Sequence, residues 1–291
     1  PKDFETMMQL TYLTFTAPRR DDDAFASYKN RSKAELQNMD LNPSSSFSDS
    51  ITSTLYSKHP RTLRMKADMV DKMNYDKILS MYQDRFKDAS DFTFILVGNV
   101  DVEAVKPLIE SYLGSLPSIN RKETFKDNHI AMRKGICKNE FIRQQETPKV
   151  NNFICYSGTC KYNLRNEILM SMTDQLLNFI YTEKVREDEG GTYGVYPMGQ
   201  LIKYPTEKAV LQIFFNTAPD KQEKLIKIIY DEAEAFAKNG PDEASLNKVK
   251  EYMLKKHSED LKENGYWLNS IDEYLYTGID PVKDYEQIIN S

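Results

Sequence analysis

The chain has 291 residues, of which 40% are apolar and 29% charged, and its formal net charge is −5. That composition sustains a buried core and excludes an intrinsically disordered chain, while the acidic balance leaves no basic footprint for nucleic acid. No apolar run approaches the roughly 18 residues that a membrane-spanning helix needs, so no transmembrane segment is expected. At roughly 100–200 residues per domain, two domains are expected.

Phe4, Met7, Met8, Tyr12 and Phe15 follow a helical period from the outset. The chain opens almost inside a helix and reads as a fragment of a longer protein, so a leader upstream would not be visible. The first helix is predicted over residues 3–17, ending at Ala17-Pro18, with Asp21, Asp22 and Asp23 capping a second that runs to about Met39. Phe25, Tyr28 and Leu36 are expected to face inward on it. The run Pro43-Ser44-Ser45-Ser46 reads as a break, residues 47–56 as a short helix, His59-Pro60 as a turn and residues 76–86 as another helix. Phe92-Thr93-Phe94-Ile95-Leu96-Val97 carries the clearest strand signal in the chain, closed by Gly98-Asn99. A helix over residues 101–113 follows, with Val105, Leu108, Ile109 and Leu113 on one face. The polar stretch after it is where the domain boundary is placed, dividing the chain into 1–118 and 119–291.

The second part begins with extended segments, including a strand over residues 151–157, and then a long helix over residues 166–187. Ile168, Leu169, Met172, Leu176, Phe179 and Ile180 of that helix are expected to pack on a second sheet. Residues 193–204 and 209–216 read as two strands of a hairpin joined by Pro205-Thr206-Glu207-Lys208. Helices are predicted over 221–238, stopped by Asn239-Gly240-Pro241, and then over 242–263, 266–276 and 281–289. A weak repeat relates the two parts at an offset of 221: Asp21, Asp22, Ala24, Phe25, Tyr28 and Lys29 align with Asp242, Glu243, Ser245, Leu246, Val249 and Lys250. Two copies of one α+β unit would produce it, and so would common helix-start grammar. On the first reading the first copy lacks its leading strands.

The chemistry-bearing residues are sparse. His59, His129 and His257 are far apart, and none has a second His or Glu at the spacing of a zinc-peptidase motif. His59 reads as part of a turn and His257 as part of a solvated helix face, so no metal site is expected in this chain. Cys137, Cys155 and Cys160 are an odd number without a disulfide framework, and read as small, half-buried side chains. No nucleophile-elbow, phosphate-loop or dinucleotide-binding pattern is present. One segment stands out, from Val185 to Val195, where Arg186 closes a long helix and Tyr193 opens a strand across the acidic, glycine-containing turn Asp188-Glu189-Gly190-Gly191. A guanidinium and a phenol brought together there can donate to one carbonyl or oxyanion. An Arg beside the core and a packed strand Tyr are the ordinary alternative.

Arg186 and Tyr193, seven apart across that turn, resemble the Arg…Tyr pair in the C-terminal half of the pitrilysin/insulinase-type zinc peptidases, the inverzincins. The passage Phe92-Thr93-Phe94-Ile95-Leu96-Val97-Gly98-Asn99, followed by Leu113-Gly114-Ser115-Leu116-Pro117, is similar to the family's strand, Gly-Asn, helix, Leu-Pro sequence. His59-Pro60 sits where the family has a His-Pro turn, and Tyr266-Trp267-Leu268 resembles the end of the final domain in bacterial members. The resemblance implies an α+β fold of two related domains, each a mostly antiparallel sheet backed by helices, the first N-terminally incomplete. It implies the half of a zinc metalloendopeptidase that lacks H-x-x-E-H, inactive alone. That half closes a chamber and holds the substrate peptide backbone through Arg186 and Tyr193. Zn2+ would then sit in an N-terminal half of the same polypeptide or in a zinc-bearing partner subunit, with a periplasmic or envelope location. A catalytically inactive partner or scaffold subunit of the same family is the alternative.

Overall fold

The computed structural model describes residues 3–187, 192 and 194–291, the side chains of residues 186 and 187 excepted. The chain divides into two compact units, Pro1–Ile142 and Arg143–Ser291.

The first unit is helical among the described residues. It comprises α1 (Phe4–Thr16), α2 (Asp22–Leu41), α3 (Pro43–Leu55), α4 (Ala67–Asp71), α5 (Tyr75–Phe86) and α6 (Val102–Tyr112). Asp21 caps α2 by accepting the Ala24 N–H at 2.9 Å. The Pro43–Ser46 run is not a break but the first turn of α3: Asn42 caps it through the Ser44 N–H, and Pro43 stands where a missing N–H costs nothing. On α2, Leu36 is buried and Phe25 stacks on Tyr75 with centroids 4.3 Å apart, whereas Tyr28 is exposed rather than inward.

Phe92–Val97 does not form a strand here. Its residues are extended, but no described segment pairs with them. A strand is a ladder between two segments, and strand propensity without a neighbour yields only an extended chain. Side chains hold it instead: Phe15 of α1 meets Phe86 of α5 and Phe92 edge-on, with centroids 4.9 Å away in each case.

The compact units divide at 142/143, and polar bonds hold the polar stretch after residue 118 to the first unit. The Asp88 carboxylate, buried at the end of α5, accepts N–H bonds from Ser90, Ile119 and Arg121. Burial by itself would raise its pKa, but those N–H donors outweigh it and hold the group well below the usual carboxylate range. Arg85 pairs with Glu123 at 2.5 Å. Further on, the Arg133 N–H donates to the Leu55 carbonyl at 2.6 Å, and the Asn139 amide to Ser50 and Thr54.

The second unit holds β1 (Val150–Gly158), α7 (Leu164–Tyr181) continued by a π-helix (Thr182–Glu187), β2 (Val195–Ile202), β3 (Lys208–Thr217), α8 (Gln222–Asn239), α9 (Glu243–Asp260), α10 (Asn264–Thr277) and α11 (Tyr285–Asn290). The sheet is antiparallel in the order β1-β3-β2, with Phe153 opposite Phe214 and Tyr196 opposite the same residue on the other side. Gly240 closes α8 with φ 70°, the left-handed half of Ramachandran space where a side chain is disfavoured. Asp242 caps α9 by accepting the Ser245 N–H at 2.8 Å, so the cap residues and their partners, Asp21/Ala24 and Asp242/Ser245, recur at the sequence offset of 221.

Helix α7 is buried on two sides. Leu177 and Tyr181, with Val185 beyond them, pack against Ile213 and Phe215 of the sheet and Leu225 and Ile229 of α8. Ile168, Met172 and Leu176 instead meet Val249 and Met253 of α9 and Ile289 of α11. That stripe was expected against the sheet. It faces helices because the sheet takes the next stripe round, and Leu169, also expected inside, is 46% exposed. Truncating Leu176 to Ala should cost about 2–5 kcal/mol, and Leu169→Ala no more than about 0.5 kcal/mol. Urea unfolding of both variants checks this; equal losses would mean the helix is turned differently.

Candidate functional site

The Arg186 side chain and the whole of Tyr193 lie outside the described residues. What the structure does give is the framework on either side of them. Approaching from α7, Tyr181 and Val185 are fully buried, and the Tyr181 hydroxyl donates to the Ile229 carbonyl at 3.3 Å. Between them the α-helix widens into the π-helix Thr182–Glu187, a feature that rotates later side chains out of the α-helical register and is common at functional positions. Its presence was not legible in the sequence, because the apolar period of α7 continues across it. On the far side, Val195 opens β2 fully inside the same core as Tyr181 and Val185. Thr192 bonds through its hydroxyl to both the N–H and the carbonyl of Gly194. The two ends of the segment are therefore anchored in one apolar cluster.

The three histidines stay apart. His59 accepts the Arg61 N–H within its turn, and His129 is exposed beside Asp127. His257 is not on a solvated face: it is 5% exposed, stacked on Tyr285 at 4.2 Å, with Nδ1 3.2 Å from the Tyr266 hydroxyl. The lysines and glutamate around it in sequence conceal that its own position on α9 turns inward. Among the described residues no group of three or more His, Cys, Asp or Glu could hold a metal ion, so these side chains do not fit a zinc site. Cys155 and Cys160 are half-buried, Cys137 is exposed, and all three are free thiols.

A second cluster, absent from any motif, lies where α10 meets the end of β2. Tyr162, nearly buried, donates from its hydroxyl to Glu273 of α10 at 3.2 Å, with Glu167 of α7 beside it. Lys203 reaches across from β2 to the Thr277 carbonyl at the end of α10, a favourable position for a cation. Its ammonium stands 5.9 Å from the Tyr162 ring and 5.4 Å from that of Tyr204. Tyr162, Lys203, Tyr204, Glu273 and Thr277 line a cleft of about 330 Å3 with Asp272 and Tyr276. Burial first, and then the neighbouring Glu273 charge, raise the Glu167 pKa to about 7, against an opposing bond from Tyr162. Sequence reading missed the cluster because its members are spread over 111 positions.

A carboxyl whose pKa is higher in the folded than in the unfolded chain favours folding while it is protonated. That contribution is complete below about 4.5, the ordinary glutamate value, and is lost as pH rises through about 7. The second unit should thus lose stability between pH 5 and 8 by an amount that Glu167→Gln removes. Thermal melting of both proteins across that range checks it; parallel profiles would show that Glu167 does not titrate there.

Comparison with known proteins places this geometry. The family described as "Peptidase M16 inactive domain" matches residues 72–253. A zinc protease PQQL-like protein of Arabidopsis thaliana is 24% identical over 294 residues, covering 92% of this chain and 30% of the relative. The probable zinc protease PqqL of Escherichia coli is 22% identical over 255 residues, covering 85% of this chain and 26% of the relative. The chain thus spans about a third or less of the curated relatives it matches. Among solved structures, the periplasmic protease PqqL from Escherichia coli superposes with a TM-score of 0.81 at 19% identity, over 98% of this chain and 32% of that one. A peptidase M16 inactive domain from Pseudomonas fluorescens gives 0.72 at 18% identity, over 99% of this chain and 68% of that one. With the α+β fold shared and most of the chain matched, the protein belongs to the pitrilysin-type M16 peptidases, as their inactive domain.

Proposed function

We propose that this chain is the non-zinc-binding C-terminal half of a zinc-dependent peptidase, closing the chamber and holding the substrate peptide backbone through Arg186 and Tyr193. The observation that carries the reading is the anchoring of both ends of the Arg186–Tyr193 segment, by Tyr181, Val185 and Val195, in one buried cluster. Donors that must meet a substrate carbonyl within a few tenths of an ångström need such rigid flanks. The family match and the zinc-protease relatives support the same reading. On this reading zinc belongs to polypeptide outside the chain, in keeping with the described residues' having no group of three or more His, Cys, Asp or Glu able to hold a metal ion, and no step here runs through it. The relatives contain this region within a chain about three times as long, which favours a zinc half in the same polypeptide over a separate partner subunit. An envelope location is proposed on the ground that the Escherichia coli protease is described as periplasmic; no helix among the described residues is long and apolar enough to cross a membrane.

A peptide bound in extended form presents its carbonyls at regular intervals. A guanidinium and a phenol differ in reach and shape, so together they fix the position of one carbonyl. A hydrogen bond with a charged partner contributes roughly 1.5–3 kcal/mol, and if it strengthens as negative charge develops, its loss lowers turnover as well as affinity. In the intact protease, Arg186→Ala and Tyr193→Phe should each lower kcat/KM by about 10–1000-fold with zinc content and melting temperature nearly unchanged. If the two side chains serve only packing, the melting temperature falls and activity per folded molecule is kept. Full activity in both variants would refute the assignment.

A further inference from the structure

α7 with its π-helical end leads into the segment that bears Arg186 and Tyr193, and β2 follows that segment. How the strand lies on the helix therefore bears on where the segment is held. Close to the segment the two elements are joined by apolar packing, with Tyr181 and Val185 on one side and Val195 on the other in a single buried cluster. Burial of apolar surface is non-directional. It holds helix and strand together but sets no fixed point along either, and one patch of contact leaves the strand able to pivot on the helix.

A second joint of a different kind lies farther back. The Gly199 N–H of β2 donates to the Asp174 carboxylate of α7 at 2.6 Å. Asp174 stands seven residues before Tyr181, about 10 Å along a helix. Gly199 stands four residues after Val195, about 13 Å along a strand. Helix and strand thus run in opposite directions between two joints that are similarly spaced on each. The approach at the second joint is close. A Cβ built on Gly199 would lie 2.2 Å from the Met170 sulfur and 2.7 Å from Asp174 Oδ1, so the lack of a side chain is what lets the strand backbone reach the helix. Met170 and Asp174 are one helical turn apart and flank the strand together. A hydrogen bond tolerates only a narrow range of distance and angle, and an ionised acceptor strengthens it. Burial raises the Asp174 pKa to about 6 against the opposing bond from Gly199, so the acceptor is charged at neutral pH. The polar joint supplies the fixed point that the apolar one lacks.

We propose, on the reading that Arg186 and Tyr193 hold the peptide, that Asp174 is a positioning residue: its bond to Gly199 sets the register of β2 on α7 and thereby places the segment that bears those two side chains. A slip of one residue along a helix is about 1.5 Å, and a misplacement of about 1 Å can lower a rate about a hundredfold. A carboxylate distant in sequence from the peptide-holding pair thus governs turnover through the backbone between them.

The test uses the intact protease and a quenched fluorescent decapeptide, chosen from a random library because the unaltered protease cleaves it. Asp174→Ala should lower kcat about 10–100-fold with KM changed by less than about threefold. Asp174→Asn keeps an acceptor oxygen for Gly199 and should stay within about threefold of the unaltered protease. In the Arg186→Ala/Tyr193→Phe background Asp174→Ala should cause almost no further loss, because residues that act through one another are not additive. A purely structural Asp174 would instead lower the melting temperature and keep activity per folded molecule. If Asp174→Ala does not fold, Asp174→Glu, which keeps the charge but moves it out by one CH2, is judged by the same outcomes. Impaired Arg186→Ala and Tyr193→Phe variants beside a fully active Asp174→Ala, or an Asp174→Ala loss undiminished in their background, would overturn the positioning role and leave the peptide-holding pair standing. Full activity in both Arg186→Ala and Tyr193→Phe would remove that pair's role and this one with it.

Discussion

The second unit is organised around one helix that has no solvent face wide enough to spare. α7 sets Ile168, Met172 and Leu176 against α9 and α11, and Leu177 and Tyr181 against the sheet and α8. Each fully buried side chain of this kind contributes roughly 1.5–3 kcal/mol, and losing either neighbour would expose a whole stripe. Two otherwise separate layers are joined because the same backbone carries both stripes. The π-helix at its end and the start of β2 inherit their positions from this packing, as does the carboxylate of Asp174 beside Gly199.

The first unit is held differently. Its helices share an aromatic cluster around Phe15, but the long extended passage beyond α6 is fixed by polar contacts. Asp88 is the clearest of these. A carboxylate this buried is tolerated only when its lone pairs are met, and three backbone N–H groups meet them, two from the polar passage in which the sequence placed the domain boundary. Phe92–Val97 has the composition of an inner strand yet stands without a ladder among the described residues, so its apolar side chains find neighbours while its backbone finds no partner strand.

The titrating groups of the second unit divide by surroundings. Glu167 lies beside a second carboxylate in the Tyr162 cluster, Asp174 is held by a backbone donor, and in both burial is the largest influence. Neither belongs to the segment that the family resemblance marks. The inactive domain thus carries ionisable side chains whose evident work is to fasten α10 and β2 to α7, and the peptide-contacting residues proposed for it are set apart from them.

Much of this protein was legible from residue order alone, where local physics decides. The caps at Asp21 and Asp242, the stop at Gly240 and the hairpin between β2 and β3 follow from neighbours a few positions away, and the α+β class and family resemblance rest on the same local patterns in sequence. The boundary of the units, the inward turn of His257, the exposure of Tyr28 and Leu169 and the unpaired state of Phe92–Val97 were decided only in three dimensions. Each depends on a partner distant in the chain: Ile119 and Arg121 on Asp88, His257 on Tyr285, a strand on its ladder. Tyr162, Glu167, Lys203 and Glu273 show the same limit, since their chemistry arises from desolvation and proximity. A periodic pattern records which face of a helix is apolar, but only the packed structure determines what that face meets.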